Sequence, residues 1–241
     1  MPWSVAFSNF PKSPLAASLF LFIGFFSAGC NPDQTVDPVA SDGIMDARQQ
    51  NLDGSPLALV GNWNFAWNQW VDPANPPSSE SGQIQIVPVP SHWTDYKPSQ
   101  KTPGVDAGYP ERGKASFWLF LRLDPNIEKI ALRLPAMDTA FVLFWNGNEV
   151  ARNGYLNVEL GGSRPVYYAP RTLRLNARAE NTLVLHMAND VYPRPGLRDT
   201  ILLGSESLIA RIAEENNFFA AFLVGALALM ALYHLGMYAM R

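Results

Sequence analysis

The chain has 241 residues, of which 48% are hydrophobic and 12% aromatic, and its formal net charge is −3. This balance, without basic clusters, argues against a nucleic-acid partner. The single cysteine, Cys30, excludes an intrachain disulfide framework and a cysteine-rich metal site.

The amino-terminal part has the pattern of an export signal. Residues 15–26 are apolar and follow a segment whose only charged side chain is Lys12; they are too short to span a bilayer comfortably and fit a signal-peptide core. Small residues lead into Cys30, as in a bacterial lipobox, although Ser27 stands where leucine is usual. We predict a signal peptide over 1–30 with Cys30 as the lipidation site. The alternative is an ordinary signal peptide, or an uncleaved anchor, with an incidental cysteine.

Residues 31–54 are polar and show little apolar periodicity, which predicts a disordered tether. Residues 55–205 have the length of one domain, and the prolines that occur throughout it argue against long helices. Strand-like runs recur instead, at 63–67, 83–89, 116–123, 130–134, 140–145, 166–168, 172–175, 182–187 and 200–203.

The Asn146-Gly147 pair between two of these runs predicts a tight type I′ hairpin turn. Eight or nine short strands joined by turns predict a mainly β fold, a β-sandwich of jelly-roll type.

The carboxyl-terminal part predicts helix. Residues 206–217 have helical apolar spacing behind Ser205, a good N-cap, and form a predicted linking helix. Residues 218–240 contain no Asp, Glu, Lys or Arg, and as a helix of about 34 Å they match a hydrocarbon core of about 30 Å. We therefore predict one transmembrane helix, with the C-terminus in the cytoplasm. His234 within it would face partner membrane helices or a homodimer, or would lie near the headgroups.

Several short motifs follow one another in an order that is informative. They are 61–65 (GNWNF), 89–93 (VPSHW), an aromatic strand ending in Arg122, 132–135 (LRLP), 144–147 (FWNG), 153–154 (NG), 201–204 (ILLG) and 233–236 (YHLG). This order resembles the galactose-binding-like jelly roll that serves as the non-catalytic sugar-binding domain of family 2 glycosidases. It is still more similar to the periplasmic domain and first membrane helix of bacterial seven-transmembrane receptors with diverse intracellular signalling modules.

The resemblance, which covers roughly residues 55–241, implies a ligand-sensing domain in the periplasm, anchored in the bacterial inner membrane. Receptors of this kind continue through six more helices to a cytoplasmic cyclase or kinase. The chain is then expected to be either the first part of such a receptor or a free-standing single-span relative. Other readings are a structural or adaptor lipoprotein and a sugar-binding domain related to family 2 glycosidases.

A small-molecule ligand, such as a carbohydrate, needs aromatic faces and fixed hydrogen-bonding groups. The loops at 91–110 and 189–198 offer these groups, and we take as candidate ligand contacts His92, Trp93, Tyr96, Tyr109, Asn189, Tyr192, Arg194 and Arg198. Core packing is the alternative for Trp93, while the three tyrosines are expected to be exposed. We assign a second aromatic set to the core, namely Trp63, Phe65, Phe117, Trp118 and Phe120.

Few residues of the sequence indicate a catalytic site or a metal site. The three histidines lie far apart, without acidic partners at metal-ligand spacing, so neither a metal nor a cofactor is predicted. Asp138 and Glu149 could be imagined as a glycosidase pair, but nothing in their spacing predicts that they converge. We expect Arg122 either to extend along the surface or to pair with Asp124.

Overall fold

The computed structural model describes residues 37–78, 84–98, 108–156, 163 and 165–240. The predicted signal peptide, Cys30 and the first residues of the predicted tether lie outside these described residues. The described strands are β1 (Ile44–Asp46), β2 (Leu57–Ala58), β3 (Gly61–Trp67), β4 (Gln85–Val89), β5 (Ser91–His92), β6 (Gly113–Arg122), β7 (Lys129–Leu134), β8 (Ala140–Trp145), β9 (Asn148–Asn153), β10 (Arg171–Asn176), β11 (Glu180–Asn189), β12 (Gly196–Leu197) and β13 (Leu202–Gly204). One helix, α1 (Glu206–Ala239), follows them.

Two sheets share one hydrophobic core. The large sheet has the order β4-β3-β6-β11-β8-β9, with β1 added in parallel beside β6, and the small sheet has the order β10-β7-β13-β2. Alternate residues of the central strand β6 point into the core, where they meet the small sheet; Phe117, Leu119 and Ile130 are all fully buried. The architecture is therefore mainly β with a C-terminal helix, and it is compatible with the predicted β-sandwich.

The opposite face of the large sheet is partly covered by the segment 68–78, which we call the strap. Ser116 accepts a hydrogen bond from the backbone N–H of Val71 and donates one to the carbonyl of Gln69, at 3.2 and 2.7 Å. Trp118 donates its indole N–H to the carbonyl of Pro77 at 3.1 Å, and His186 Nε2 lies 3.0 Å from the carbonyl of Val71. Burial beneath the strap lowers the pKa of the His186 imidazole. The strap thus covers the outer face of β6 at Ser116 and Trp118, so that this part of the strand is covered on both faces, as its nearly continuous apolar run predicts.

The predicted tether is wrong over its described part. Strand β1 pairs with the end of β6, and Met45, Ala47 and Leu52 are buried in the main core. These few apolar residues are spaced to enter the core, but the polar residues between them hide the pattern. The β domain accordingly begins near Ala40, which is buried and bridges to Gly61, and not at residue 55.

The predicted strand at 166–168 is also wrong. The backbone N–H groups of Val166 and Tyr167 donate to the side-chain oxygen of Asn153 at 2.8 and 3.0 Å, so they do not pair with a strand. Tyr167 and Tyr168 are both exposed. A buried asparagine side chain therefore takes the place of a partner strand in this loop.

The hairpin prediction is confirmed, because Asn146 and Gly147 both have positive φ, 50° and 82°, between the paired strands β8 and β9. The Ser205 cap is confirmed as well, since its hydroxyl accepts from the N–H of Leu208 at 3.4 Å.

The predicted linking helix and membrane helix form one continuous helix, α1, whose first turns pack on the small sheet. Leu208 and Ile209 are buried there. Among the described residues, α1 is the one helix whose length and composition are sufficient to cross a bilayer.

Candidate functional site

Three aromatic members of the predicted ligand set are buried in the core. Trp93 is fully buried and donates its indole N–H to the carbonyl of Pro110 at 2.9 Å. Tyr96 and Tyr109, predicted to be exposed, are 4% and 9% exposed, and their hydroxyls donate to Pro88 and Gln85. Burial raises the pKa of both tyrosines. The core alternative is confirmed for Trp93, and the expected exposure of Tyr96 and Tyr109 is wrong, because their rings pack against Phe65.

Asn189 holds the loop that follows β11. Its amide donates to the carbonyls of Glu111 and Tyr192 at 2.8 and 2.7 Å, and its side-chain oxygen accepts from the N–H of Tyr192 at 3.0 Å. The asparagine is 1% exposed, so the amide is fully used inside the protein. Tyr192 is half-buried, and its backbone is tied to this loop.

The arginine members of the set are engaged by carboxylates. Arg194 Nη2 lies 3.0 Å from Asp95 Oδ2, and His92 Nδ1 lies 3.5 Å from the same oxygen. Arg198 contacts Asp138 at 3.0 Å and Asp199 at 3.3 Å. The pairing of β5 with β12 brings the two predicted ligand loops together at one end of the domain, and we call the predicted ligand contacts on them the end-loop residues. The charges of both arginines among them are compensated by neighbouring carboxylates.

The two carboxylates considered as a glycosidase pair, Asp138 and Glu149, are also paired with arginines. Asp138 is in contact with Arg198, and Glu149 accepts hydrogen bonds from Arg152 at 2.9 and 2.7 Å. The hydrogen bonds from Arg152 lower the pKa of Glu149, whereas a general acid needs a raised pKa. Among the described residues, no group of three or more His, Cys, Asp or Glu side chains could hold a metal ion.

A groove of about 440 Å³ lies on the outer face of the large sheet, beside the strap. Its floor is a row of cross-strand neighbours, with Phe120 on β6 flanked by Ile44 on β1 and Thr182 on β11. Phe120 is only partly buried, and Ile44 is 38% exposed. The strap residue Ala74 lines one side of the groove. We call this feature the Phe120 groove.

Charged residues form the next row of the same face. Arg122 lies two residues after Phe120 on β6 and directly opposite Glu180 on β11, at the spacing where cross-strand side chains interact. Arg178 lines the groove from the turn that precedes β11. The Phe120 groove therefore combines an aromatic floor with two guanidinium groups and one carboxylate.

A buried asparagine fixes the position of Arg178. The side-chain oxygen of Asn181 accepts from the N–H of Arg178 at 2.9 Å, and its amide donates to the carbonyl of Arg178 at 2.6 Å. Asn146, from the hairpin turn, donates to the same side-chain oxygen at 3.1 Å. Asn181 is 3% exposed, so the backbone beneath this wall of the groove is rigidly held.

The charged groups of the groove differ in their surroundings from those of the end-loop residues. Among the residues that the structure describes, no oppositely charged group lies within 4.0 Å of the side chains of Arg122, Arg178 or Glu180. Guanidinium groups donate, a carboxylate accepts, and the Thr182 hydroxyl can do both. The groove can thus stack an apolar ring face on Phe120 while its walls bind hydroxyl or carboxylate groups.

Solved structures resemble this fold. A β-glucuronidase from an uncultured Clostridium sp. aligns with TM-score 0.44 and 14% identity, over 63% of this chain and 29% of the enzyme. The β-glucuronidase of Faecalibacterium prausnitzii aligns with TM-score 0.46 and 15% identity, over 65% of this chain and 32% of the enzyme. A glycosyl hydrolase family 2 member from Bacteroides cellulosilyticus aligns with TM-score 0.45 and 15% identity, over 62% of this chain and 20% of that protein.

This chain thus spans a third or less of each of these proteins. No family model and no curated protein matches the sequence. At these TM-scores the likeness carries no argument about ligand or activity, which must come from the residues themselves.

Sequence reasoning missed the Phe120 groove. It assigned Phe120 to the core and offered Asp124 as a partner for Arg122, whereas Asp124 accepts hydrogen bonds from Asn126 at 2.8 Å. The alternation Trp118, Phe120, Arg122 already places the arginine and the phenylalanine on one face of a strand. The register of β11, which brings Glu180 beside Arg122, was the missing information.

Proposed function

We propose that this chain is the extracytoplasmic ligand-binding part of a bacterial inner-membrane receptor, with a jelly-roll-type domain in the periplasm and α1 crossing the membrane. The ligand is a small polyhydroxylated molecule, of which a monosaccharide is the simplest case, and it binds in the Phe120 groove. The chain binds without catalysis. The end-loop residues, which include His92, Trp93 and Arg198, stabilise the domain and do not contact the ligand.

One observation carries this proposal: a partly exposed aromatic floor lies in the same groove as charged groups that make no ion pair within the described part of the chain. A pyranose ring has an apolar face that stacks on an aromatic side chain and an edge of hydroxyls that need donors and acceptors. Phe120, Arg122 and Glu180 meet these requirements on neighbouring positions of two strands. Sites on strands hold their geometry better than sites on loops.

The path from groove to membrane also supports a receptor. The core faces of the two sheets pack together, and α1 begins directly after β13 of the small sheet, with Leu208 and Ile209 buried. The apolar part of the same helix follows without a break in the helix. A rigid helix joined in this way to a ligand-binding domain is a suitable transmitter of small shifts.

Thermal unfolding of the whole chain in detergent, against a panel of neutral and acidic monosaccharides, tests the proposal. A ligand at ten times its Kd is expected to add about 1.4 kcal/mol to the stability of the folded state. Phe120→Ala should abolish the shift, because it removes the floor of the groove.

Phe144→Ala is the matched control. Phe144 is a partly buried phenylalanine on the same sheet face, but it packs on His186 and does not line the groove. This variant should keep the ligand-induced shift, even if its own unfolding temperature is lower. If no sugar of the panel stabilises the wild-type protein, or if both variants respond like the wild type, the proposed site is wrong.

A further inference from the structure

The charge balance of the Phe120 groove restricts the ligand further. Its lining contains two cations, Arg122 and Arg178, and one anion, Glu180. Asp46 stands beside Arg122 in the ladder, but it makes a two-point pair with Arg48, at 2.9 and 2.5 Å. That pair, led by the Arg48 side-chain hydrogen bonds, lowers the pKa of Asp46 to about 2. Among the residues that the structure describes, the lining of the groove therefore has one positive charge in excess.

On this basis we propose that the Phe120 groove selects a carboxylated sugar, with the ligand carboxylate bound by Arg122 and Arg178. The inference rests on the proposed function, because it names the ligand class of the same site. Guanidinium groups bind carboxylates through paired, charge-assisted hydrogen bonds. A single excess positive charge matches one carboxylate, whereas a phosphate dianion would leave a negative charge facing Glu180.

The two arginines lie on different elements, so the site favours one orientation of the bound sugar. Arg122 projects from a central strand beside Phe120, while Asn181 fixes the backbone of Arg178 on the turn before β11. Glu180 is the ladder neighbour of Arg122 and remains available to accept a hydrogen bond from a ligand hydroxyl. A sugar whose ring lies on Phe120 then presents its carboxylate to the arginines and a hydroxyl to the glutamate.

Isothermal titration of the whole chain in detergent with D-glucuronate and with D-glucose isolates the contribution of the carboxylate, because the two sugars differ only at C6. Glucuronate is expected to bind at least about tenfold more tightly than glucose, the effect of one charge-assisted contact. This preference should shrink as salt is raised, since the arginines are near the surface. Galacturonate and galactose form a second matched pair.

Arg122→Gln and Arg178→Gln should each reduce the glucuronate affinity much more than the glucose affinity, so that the preference for glucuronate shrinks. Arg112→Gln is the control, because Arg112 is an exposed arginine that does not line the groove. Thermal unfolding of each variant verifies that it is folded.

The outcomes separate the two proposals. If glucose and glucuronate bind equally, the proposed binding function stands and the selectivity for a carboxylate is wrong. If glucuronate binds more tightly but the Arg122 and Arg178 variants do not change its affinity, the carboxylate is bound elsewhere and the inference is overturned. If neither the acidic nor the neutral sugars bind, the proposed function and the inference both fail.

Discussion

Replacement of Trp93 by alanine is expected to lower the free energy of unfolding by about 3–5 kcal/mol. The indole is fully buried, packs edge-on against Trp67 with ring centroids 5.5 Å apart, and donates to Pro110 at 2.9 Å. The variant therefore loses a large apolar contact and leaves the Pro110 carbonyl without this donor. For a domain of this size the unfolding temperature should fall by roughly 6–20 °C, as measured by near-UV circular dichroism.

Tyr192→Ala provides the comparison for Trp93. Tyr192 belongs to the same predicted ligand set but is only half-buried, and its loop is held by Asn189 through the backbone. Its loss should cost less than about 1 kcal/mol. A Trp93→Ala protein that kept wild-type stability and lost only ligand affinity would show that Trp93 contacts the ligand and does not act through the core.

Replacement of Ile209 by aspartate is expected to detach the first turns of α1 from the small sheet. Ile209 is fully buried beside Gly204, where a Cβ on the glycine would lie only 3.3 Å from the isoleucine side chain. An unpaired carboxylate in this apolar junction costs several kcal/mol. Limited proteolysis should then cut the chain between β13 and the apolar part of α1 much faster than in the wild type.

Arg211→Asp is the control for this junction, because it introduces the same carboxylate at an exposed position two residues further along α1. Its proteolysis rate should stay close to that of the wild type. Equal cleavage of the Ile209 and Arg211 variants would show that the helix is not held to the sheet by this contact, and the proposed path from groove to membrane would lose its support.

Features that depend on local chemistry could be predicted from the sequence. The positive φ angles of Asn146 and Gly147 follow from the residue types, as does the capping hydroxyl of Ser205. Strand β1 could not be predicted in the same way. Its three residues find their partner in β6, far along the chain, and two apolar neighbours within a polar segment are too few to indicate a strand.

The candidate site was beyond sequence reasoning for a related reason. Aromatic and polar residues in loops resemble ligand contacts in sequence. The side chains of Tyr96, Tyr109 and Asn189 nevertheless form hydrogen bonds within the domain. Conversely, Phe120 resembles a core residue until its place in the groove beside the strap is known. Which side chains remain free depends on register and coverage, and these are properties of the assembled sheet.

The proposed ligand site is the Phe120 groove and not the end-loop residues. Hydrogen–deuterium exchange of the whole chain in detergent, with and without the monosaccharide that stabilises it most, distinguishes these two locations. We predict slower exchange in peptides that contain residues 118–122 and 178–183, with no change at 91–97 and 190–198. Protection confined to 91–97 and 190–198 would contradict the account and would place the ligand among the end-loop residues.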